Sequence, residues 1–241
     1  PPRRSADTAA PRAVPGPRDQ GLVKLVIKPI ERAFLALTRP LVDVLIRAGI
    51  SPNAITTFGT FFVVASGVAF GLGRVQLGGL LYLLSGVVDT LDGAVARANQ
   101  QVSRFGAFYD STLDRIGDGA TFMGVAVLYL RAPEGAVAYR DLAIMLALTA
   151  GFSSQVVSYA RAKAESLGID CRVGIAQRAE RIVLLGVPSL VVGAGPQGLV
   201  LFWIIAFLAL ASVVTVIQRF VHVYRVAEGA TAPTTPKGSS S

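Results

Sequence analysis

The chain has 241 residues, of which 52% are hydrophobic and 16% charged, with a mean hydropathy of +0.56; that is too apolar for an ordinary soluble domain and points to a membrane protein. A formal net charge of +8 would suit nucleic acid, but the basic residues are dispersed between apolar runs that also hold most aromatics, so anionic lipid headgroups and phosphate-bearing substrates are the partners indicated. A single cysteine, Cys171, excludes an intramolecular disulfide framework and a multi-cysteine zinc site, and reads as an incidental loop residue.

In chain order, residues 1–20 combine Pro, Ala and Arg with neither apolar periodicity nor the apolar core of a signal peptide, and read as a disordered basic tail. Residues 21–49 mix apolar residues with charges every three or four positions and are broken by Pro29 and Pro40, a pattern expected of juxtamembrane helices lying at the membrane interface. Six apolar segments follow: Pro52 to Leu72, Leu77 to Arg97, Phe105 to Arg131, Asp141 to Glu165, Arg178 to Val192 and Leu199 to Tyr224. Each reaches or approaches the ~20 residues that ~30 Å of hydrocarbon requires. The fold expected is therefore an all-α integral membrane protein, with six transmembrane helices in a catalytic domain over residues 50–225 and a disordered tail over 226–241. The short links GRVQ and GAGPQG predict tightly packed antiparallel neighbours, and Gly86 with the small-residue runs GVAVLY and ALTAGFSS permits close helix approach.

Placing the amino terminus inside leaves only Arg74, Arg131 and Arg140 of the 23 Lys and Arg on the outer side, which satisfies the positive-inside rule strongly. The stretch Asp89 to Asp114, DTLDGAVARANQQVSRFGAFYDSTLD, then faces the cytoplasmic interface of the cell membrane. Asp89 and Asp92 are three apart on one helix, Asp110 and Asp114 four apart on the next, so each pair shares a helical face. A short connection can bring the two faces together, and four carboxylates cannot share one small volume without cations. Oxygen ligands with no nearby His or Cys select Mg²⁺ or Mn²⁺, and four carboxylates suit a pair of ions. Gly93, Ala96 and Gly106 remove side-chain bulk where a base or diphosphate would approach the backbone, and Arg97 offers a planar donor fork for phosphate. Asp118, one turn beyond Asp114, reads as a supporting partner of the carboxylate site, and His222 as an interfacial helix-end residue.

The spacing Asp89, Asp92-Gly93, Ala96-Arg97, Gly106, Asp110, Asp114 resembles the signature of the CDP-alcohol phosphotransferase family at every fixed position. The resemblance implies a homodimeric membrane enzyme with six transmembrane helices that transfers a substituted phosphate from a CDP-linked donor to an alcohol and releases CMP. It makes Asp89, Asp92 and Asp110 metal ligands and Asp114 both ligand and catalytic base. It makes Gly93, Ala96, Arg97 and Gly106 the cytidine diphosphate site, and Ser51-Pro52-Asn53 nominates Asn53 as a nucleotide contact.

Arg161 and Lys163 end the fourth segment, Arg178 and Arg181 begin the fifth, and Arg219 lies towards the inner end of the sixth. This arrangement predicts a cationic pocket for an acceptor that carries its own phosphate. The segment around it resembles that of the phosphatidylinositol phosphate synthases, a branch of the family in actinobacteria, and their archaeal ether-lipid counterparts. The resemblance assigns Arg161, Lys163, Arg178, Arg181 and Arg219 to inositol phosphate and implies CDP-diacylglycerol as donor. The relatives have Lys-Ala-Arg where this chain has Arg161-Ala162-Lys163, which keeps charge and changes donor geometry. The competing acceptor is the glycerol 3-phosphate of phosphatidylglycerophosphate synthases. The competing class is a divalent-cation transporter, for which the internal repeats or broken midplane helices common in transporters are not seen.

Overall fold

The computed structural model describes residues 39–98, 103–175 and 177–231. The expected basic tail and most of the expected interfacial region, residues 1–38, lie outside them, as do residues 232–241. The chain divides after Leu45 into two compact units. The described part of the first unit is helical and begins α1, residues 39–47.

The second unit is built from six further helices: α2 (Pro52–Gly71), α3 (Val75–Ala98), α4 (Arg104–Arg131), α5 (Arg140–Ser166), α6 (Arg178–Val192) and α7 (Leu199–Thr231). All six apolar segments expected from the sequence are helical, and no strand occurs among the described residues. Two differences stand out. Helix α7 runs to Thr231, so residues 226–231 are helix where a disordered tail was expected. Among the described residues, four helices rather than six are long and apolar enough to cross a bilayer: α2, α3, α5 and the stretch Pro196–Glu228, which is one helical turn followed by most of α7. Helix α6 has 15 residues, roughly 22 Å at 1.5 Å per residue, and the first half of α4 carries the aspartates.

Local sequence sets the helix starts. Ser51 caps α2 by accepting from the Ala54 N–H at 3.3 Å, with Pro52 in the first turn where its missing N–H costs nothing. Ser103 caps α4, accepting from the Gly106 N–H at 2.9 Å. Gln177 and Glu180 form a capping box at the start of α6, which fixes the first-turn position of Arg178 and the following turn that holds Arg181.

The helices close a ring in which each touches two others: α2 packs on α3 and α4, α4 on α5, α5 on α7, α7 on α6, and α6 back on α3. Both pairs joined by the short links, α2 with α3 and α6 with α7, are packed neighbours as expected. Helices α3 and α4 are not; α2 stands between them. Small residues set the closest crossings, because close approach of backbones is the main source of packing energy between helices in lipid. A Cβ on Gly67 would strike the Ala120 carbonyl, one on Gly124 the Gly67 carbonyl, and one on Gly79 would lie 2.7 Å from the Gly186 carbonyl. The interior is filled by Val63 and Phe70 of α2, Tyr82 of α3, Phe122 and Tyr129 of α4, Ala143, Ala147 and Ala150 of α5, Leu185 of α6 and Ile205 of α7.

Candidate active site

The carboxylates of α3 and α4 reach each other across the inside of the ring although the two helix backbones are not neighbours. Asp89, Asp92 and Asp110 each present an oxygen within 4.8 Å of the others. Helix α2 supplies the alignment: the buried Thr56 hydroxyl lies 2.8 Å from Asp92 Oδ2 and 3.0 Å from the Pro52 carbonyl, and its one proton goes to the nearer carboxylate. Asp110 Oδ1 is buried with no hydrogen-bond partner. A buried anionic oxygen left without a donor costs on the order of 1–3 kcal/mol or more, and a hard cation among three oxygen ligands removes that cost. The residues present thus fit a divalent ion.

The fourth aspartate behaves differently. Asp114 is ion-paired through Oδ1 with Arg178 of α6, and Arg115 Nη1 lies 3.9 Å from its Oδ2. Three of the four expected carboxylates therefore converge as a group, and the fourth is held by an arginine from across the ring. One turn further in, Asp118 is buried and accepts at Oδ2 from Arg181 Nη2 at 2.6 Å and from the Ser154 hydroxyl at 2.8 Å. Asp118 is buried and paired, not solvated, and its partners tie α4 to α5 and α6.

Around the aspartates, the Arg97 guanidinium lies over Gly93, with Nη1 3.2 Å from where a Cβ would stand. A Cβ on Gly106 would lie 3.4 Å from Asn53 Oδ1, so Asn53 and Gly106 face each other at the starts of α2 and α4. The Thr57 hydroxyl and the Tyr109 hydroxyl are 2.9 Å apart beside them. Ala96 is partly exposed on the same helix as Gly93.

The expected acceptor cations divide into two kinds. Arg161 and Lys163 are exposed on the last turns of α5, with Arg161 Nε 2.8 Å from Glu165 Oε1, and Arg178 is partly exposed. Arg181 and Arg219 are buried. Arg219 spends its donors on backbone, Nε on the Val173 carbonyl at 3.0 Å and Nη1 on the Val157 carbonyl. It lies close enough to Arg161 and Arg181 to feel their charges. Arg181 and Arg219 are thus engaged with the protein itself, where sequence suggested free phosphate ligands, because a charge at a helix end does not reveal which carbonyl or carboxylate lies within its reach.

Three residues of α7 clasp the connection between α5 and α6. The Thr215 hydroxyl accepts from the Ile175 N–H at 3.2 Å, Arg219 holds Val173, and His222 Nε2 lies 2.9 Å from the Asp170 carbonyl. Cys171, within this connection, is buried, and burial pushes its thiol up from the ordinary range. Sequence reasoning missed Thr56, Tyr109 and Thr215; only the i, i+4, i+7 spacing of Thr215, Arg219 and His222 hinted at a shared face.

Residues 49–216 match the sequence profile of the CDP-alcohol phosphatidyltransferases. The chain belongs to that family. Membership makes it a transferase, and its long apolar helices agree with a membrane protein. It is 39% identical over 197 residues to the phosphatidylinositol phosphate synthase of Cutibacterium acnes, covering 78% of this chain and 93% of that one. It is 36% identical over 200 residues to the archaetidylinositol phosphate synthase of Methanothermobacter thermautotrophicus, covering 82% of this chain and 92% of the other. Among solved structures, Mycobacterium tuberculosis phosphatidylinositol phosphate synthase with CDP-DAG bound superposes with a TM-score of 0.69 at 30% identity, covering 86% of this chain and 100% of that one. The same enzyme in complex with manganese and citrate gives a TM-score of 0.70 at 30% identity, covering 84% and 93%.

Proposed function

We propose that this chain is a phosphatidylinositol phosphate synthase, transferring the phosphatidyl group of CDP-diacylglycerol to inositol 1-phosphate with release of CMP. The observation that carries the reading is the Asp89, Asp92 and Asp110 cluster with Asp114 beside it and an arginine from α6 on Asp114. The names and coverage of the relatives support the acceptor.

Asp89, Asp92, Asp110 and Asp114 would hold two Mg²⁺ or Mn²⁺ ions, which supply charge neutralisation for the donor diphosphate and the CMP leaving group when bound. Thr56 keeps Asp92 turned towards the cluster. Asn53, Gly93, Ala96, Arg97 and Gly106 form the cytidine diphosphate site, with Arg97 as the donor fork and the two glycines as the surfaces against which the nucleotide lies. Asp114 accepts the proton of the acceptor hydroxyl as that oxygen attacks phosphorus. Arg161, Lys163 and Arg178 bind the acceptor's own phosphate, and Arg181 and Arg219 lie behind them as a floor of positive charge. The six helices α2–α7 span the cell membrane with this site at the cytoplasmic interface, as the distribution of Lys and Arg supports, and the enzyme works as a homodimer, as the family resemblance supports.

The test is CMP release by the purified protein with CDP-diacylglycerol and Mg²⁺, comparing inositol 1-phosphate with glycerol 3-phosphate. Turnover that requires inositol 1-phosphate and falls by about 10²–10⁴ in Asp114→Asn is expected. Turnover with glycerol 3-phosphate alone would overturn the acceptor assignment and keep the reaction class.

A further inference from the structure

Asp114 stands apart from the other three aspartates in one respect: it already has its counter-charge. Among the described residues Asp89, Asp92 and Asp110 make no ion pair, and Asp92 accepts from neutral donors such as the Thr56 hydroxyl. Arg178 sits on Asp114 Oδ1. The second arginine of α6 is fixed in a different way. Arg181 and Asp118 are 2% and 3% exposed and locked at 2.6 Å, whereas Arg178 and Asp114 are 19% and 18% exposed. The buried pair anchors α6 to α4, and Arg178 is the member of the two with room to change partner.

Counting charge shows what drives the change. Three carboxylates with one divalent ion leave a single negative charge, and the Asp114–Arg178 pair beside them is neutral. A second divalent ion needs Asp114 as a ligand. Once it has that carboxylate, the aspartates and ions balance, and Arg178 becomes a surplus cation at a partly buried site, where an uncompensated charge is costly. The carboxylates whose charges couple to Arg178 are Asp114, Asp118, Asp89 and Asp110; Asp118 is committed to Arg181, and Asp89 and Asp110 to the ion cluster. A phosphate monoester is the anion that fits a freed guanidinium.

We propose that Arg178 is an exchangeable counter-charge: it holds Asp114 while the second ion is absent, and passes to the acceptor's phosphate when that ion claims the carboxylate. The inference rests on the metal reading given under Proposed function and deepens it. It makes acceptor binding wait for the second ion, so that the acceptor hydroxyl does not arrive before Asp114 is set. By linkage, acceptor phosphate tightens the second ion by the same factor that the ion tightens the phosphate.

The experiment is Mn²⁺ binding to the detergent-purified protein, followed by the paramagnetic resonance signal of free Mn²⁺, in the unmodified chain, Arg178→Gln, Asp114→Asn and the double variant. The unmodified chain is expected to bind one ion tightly and a second more weakly. Arg178→Gln is expected to tighten the weaker ion about tenfold, to leave the tighter one unchanged, and to have no effect once Asp114 is Asn. Tightening that persists in the Asp114→Asn background would show simple repulsion at a distance and overturn the proposal, as would no tightening at all. If the variants do not fold, the unmodified protein still decides, with methyl phosphate as probe in calorimetric titrations. Its affinity is expected to rise about tenfold between Mn²⁺ levels that fill one site and levels that fill both; equal affinities would overturn the exchange. Mn²⁺ that binds and is indifferent to Arg178 defeats this proposal alone, whereas no Mn²⁺ binding by the unmodified chain defeats the metal reading beneath it.

Discussion

Gly124→Ala adds one methyl group at the point where α2 and α4 cross, and the obstacle is backbone. The new Cβ would fall on the carbonyl of Gly67, with no flexible side chain to turn aside. The helices must separate to ordinary contact distance, which loosens the packing of Val63 and Phe70 against α4. Over-packing of this kind costs about 1–3 kcal/mol, or a fall of roughly 4–8 °C in Tm for a cost near 2 kcal/mol in a chain of this size. Because α2 also carries the Thr56 hydroxyl that orients Asp92, CMP release is expected to fall along with stability. Gly119→Ala, on the same helix, is the control: its Cβ would meet Gln155 Nε2 at 3.6 Å, an ordinary contact, and helix propensity favours Ala over Gly by up to about 1 kcal/mol. Thermal melts of both variants in one detergent decide the matter. A Gly124→Ala protein as stable as the unmodified chain, or a Gly119→Ala protein destabilised equally, would refute the reasoning.

Thr56→Val removes the buried donor to Asp92; it should lower CMP release by about tenfold through a loss of on the order of 1–3 kcal/mol, and Thr56→Ser should restore most of it. Asp118→Asn leaves Arg181 without its carboxylate, and a one-sided break of a buried pair costs about 3–5 kcal/mol, so the variant should melt markedly earlier, with Arg181→Gln added in the same chain recovering part of the loss. Cys171 is buried and its thiol is pushed up, so it should react slowly with maleimide near neutral pH, where little thiolate forms. Arg219→Ala, which releases Val173 and Val157, should bring labelling towards the rate of the denatured protein, and unchanged labelling would argue against the clasp.

The helices and the reaction class were legible in the sequence because both depend on short-range pattern. Apolar runs mark helices, and the Asp89 to Asp114 spacing places carboxylates on helical faces whatever surrounds them. What lay across the ring was not legible. Arg178, Arg181 and Arg219 look alike in sequence as basic residues at helix ends, yet one meets Asp114, one meets Asp118 and one meets two backbone carbonyls. Backbone acceptors such as Val157 and Val173 have no residue signature, so the clasp on the α5–α6 connection was hidden. The position of α2 between α3 and α4 was hidden too, since two segments joined by a short connection suggest direct neighbours. The shortfall in α6 was visible in its 15 residues, and the polar half of α4 in its own aspartates.

The clasped connection also changes where this protein can be altered. As a connection between two long helices, with two glycines of its own, the segment 167–177 is where an engineer would cut the chain, insert a fluorescent reporter or start a circular permutation. In the folded protein that connection is sewn to α7 through Thr215, Arg219 and His222, and its own Cys171 is buried. An insertion there would act as a core mutation, prying α7 from α5 and unsettling the start of α6 where Arg178 sits. The turn at the other end of the ring, around Glu134 to Ala136, is exposed and is the better place to splice in foreign sequence.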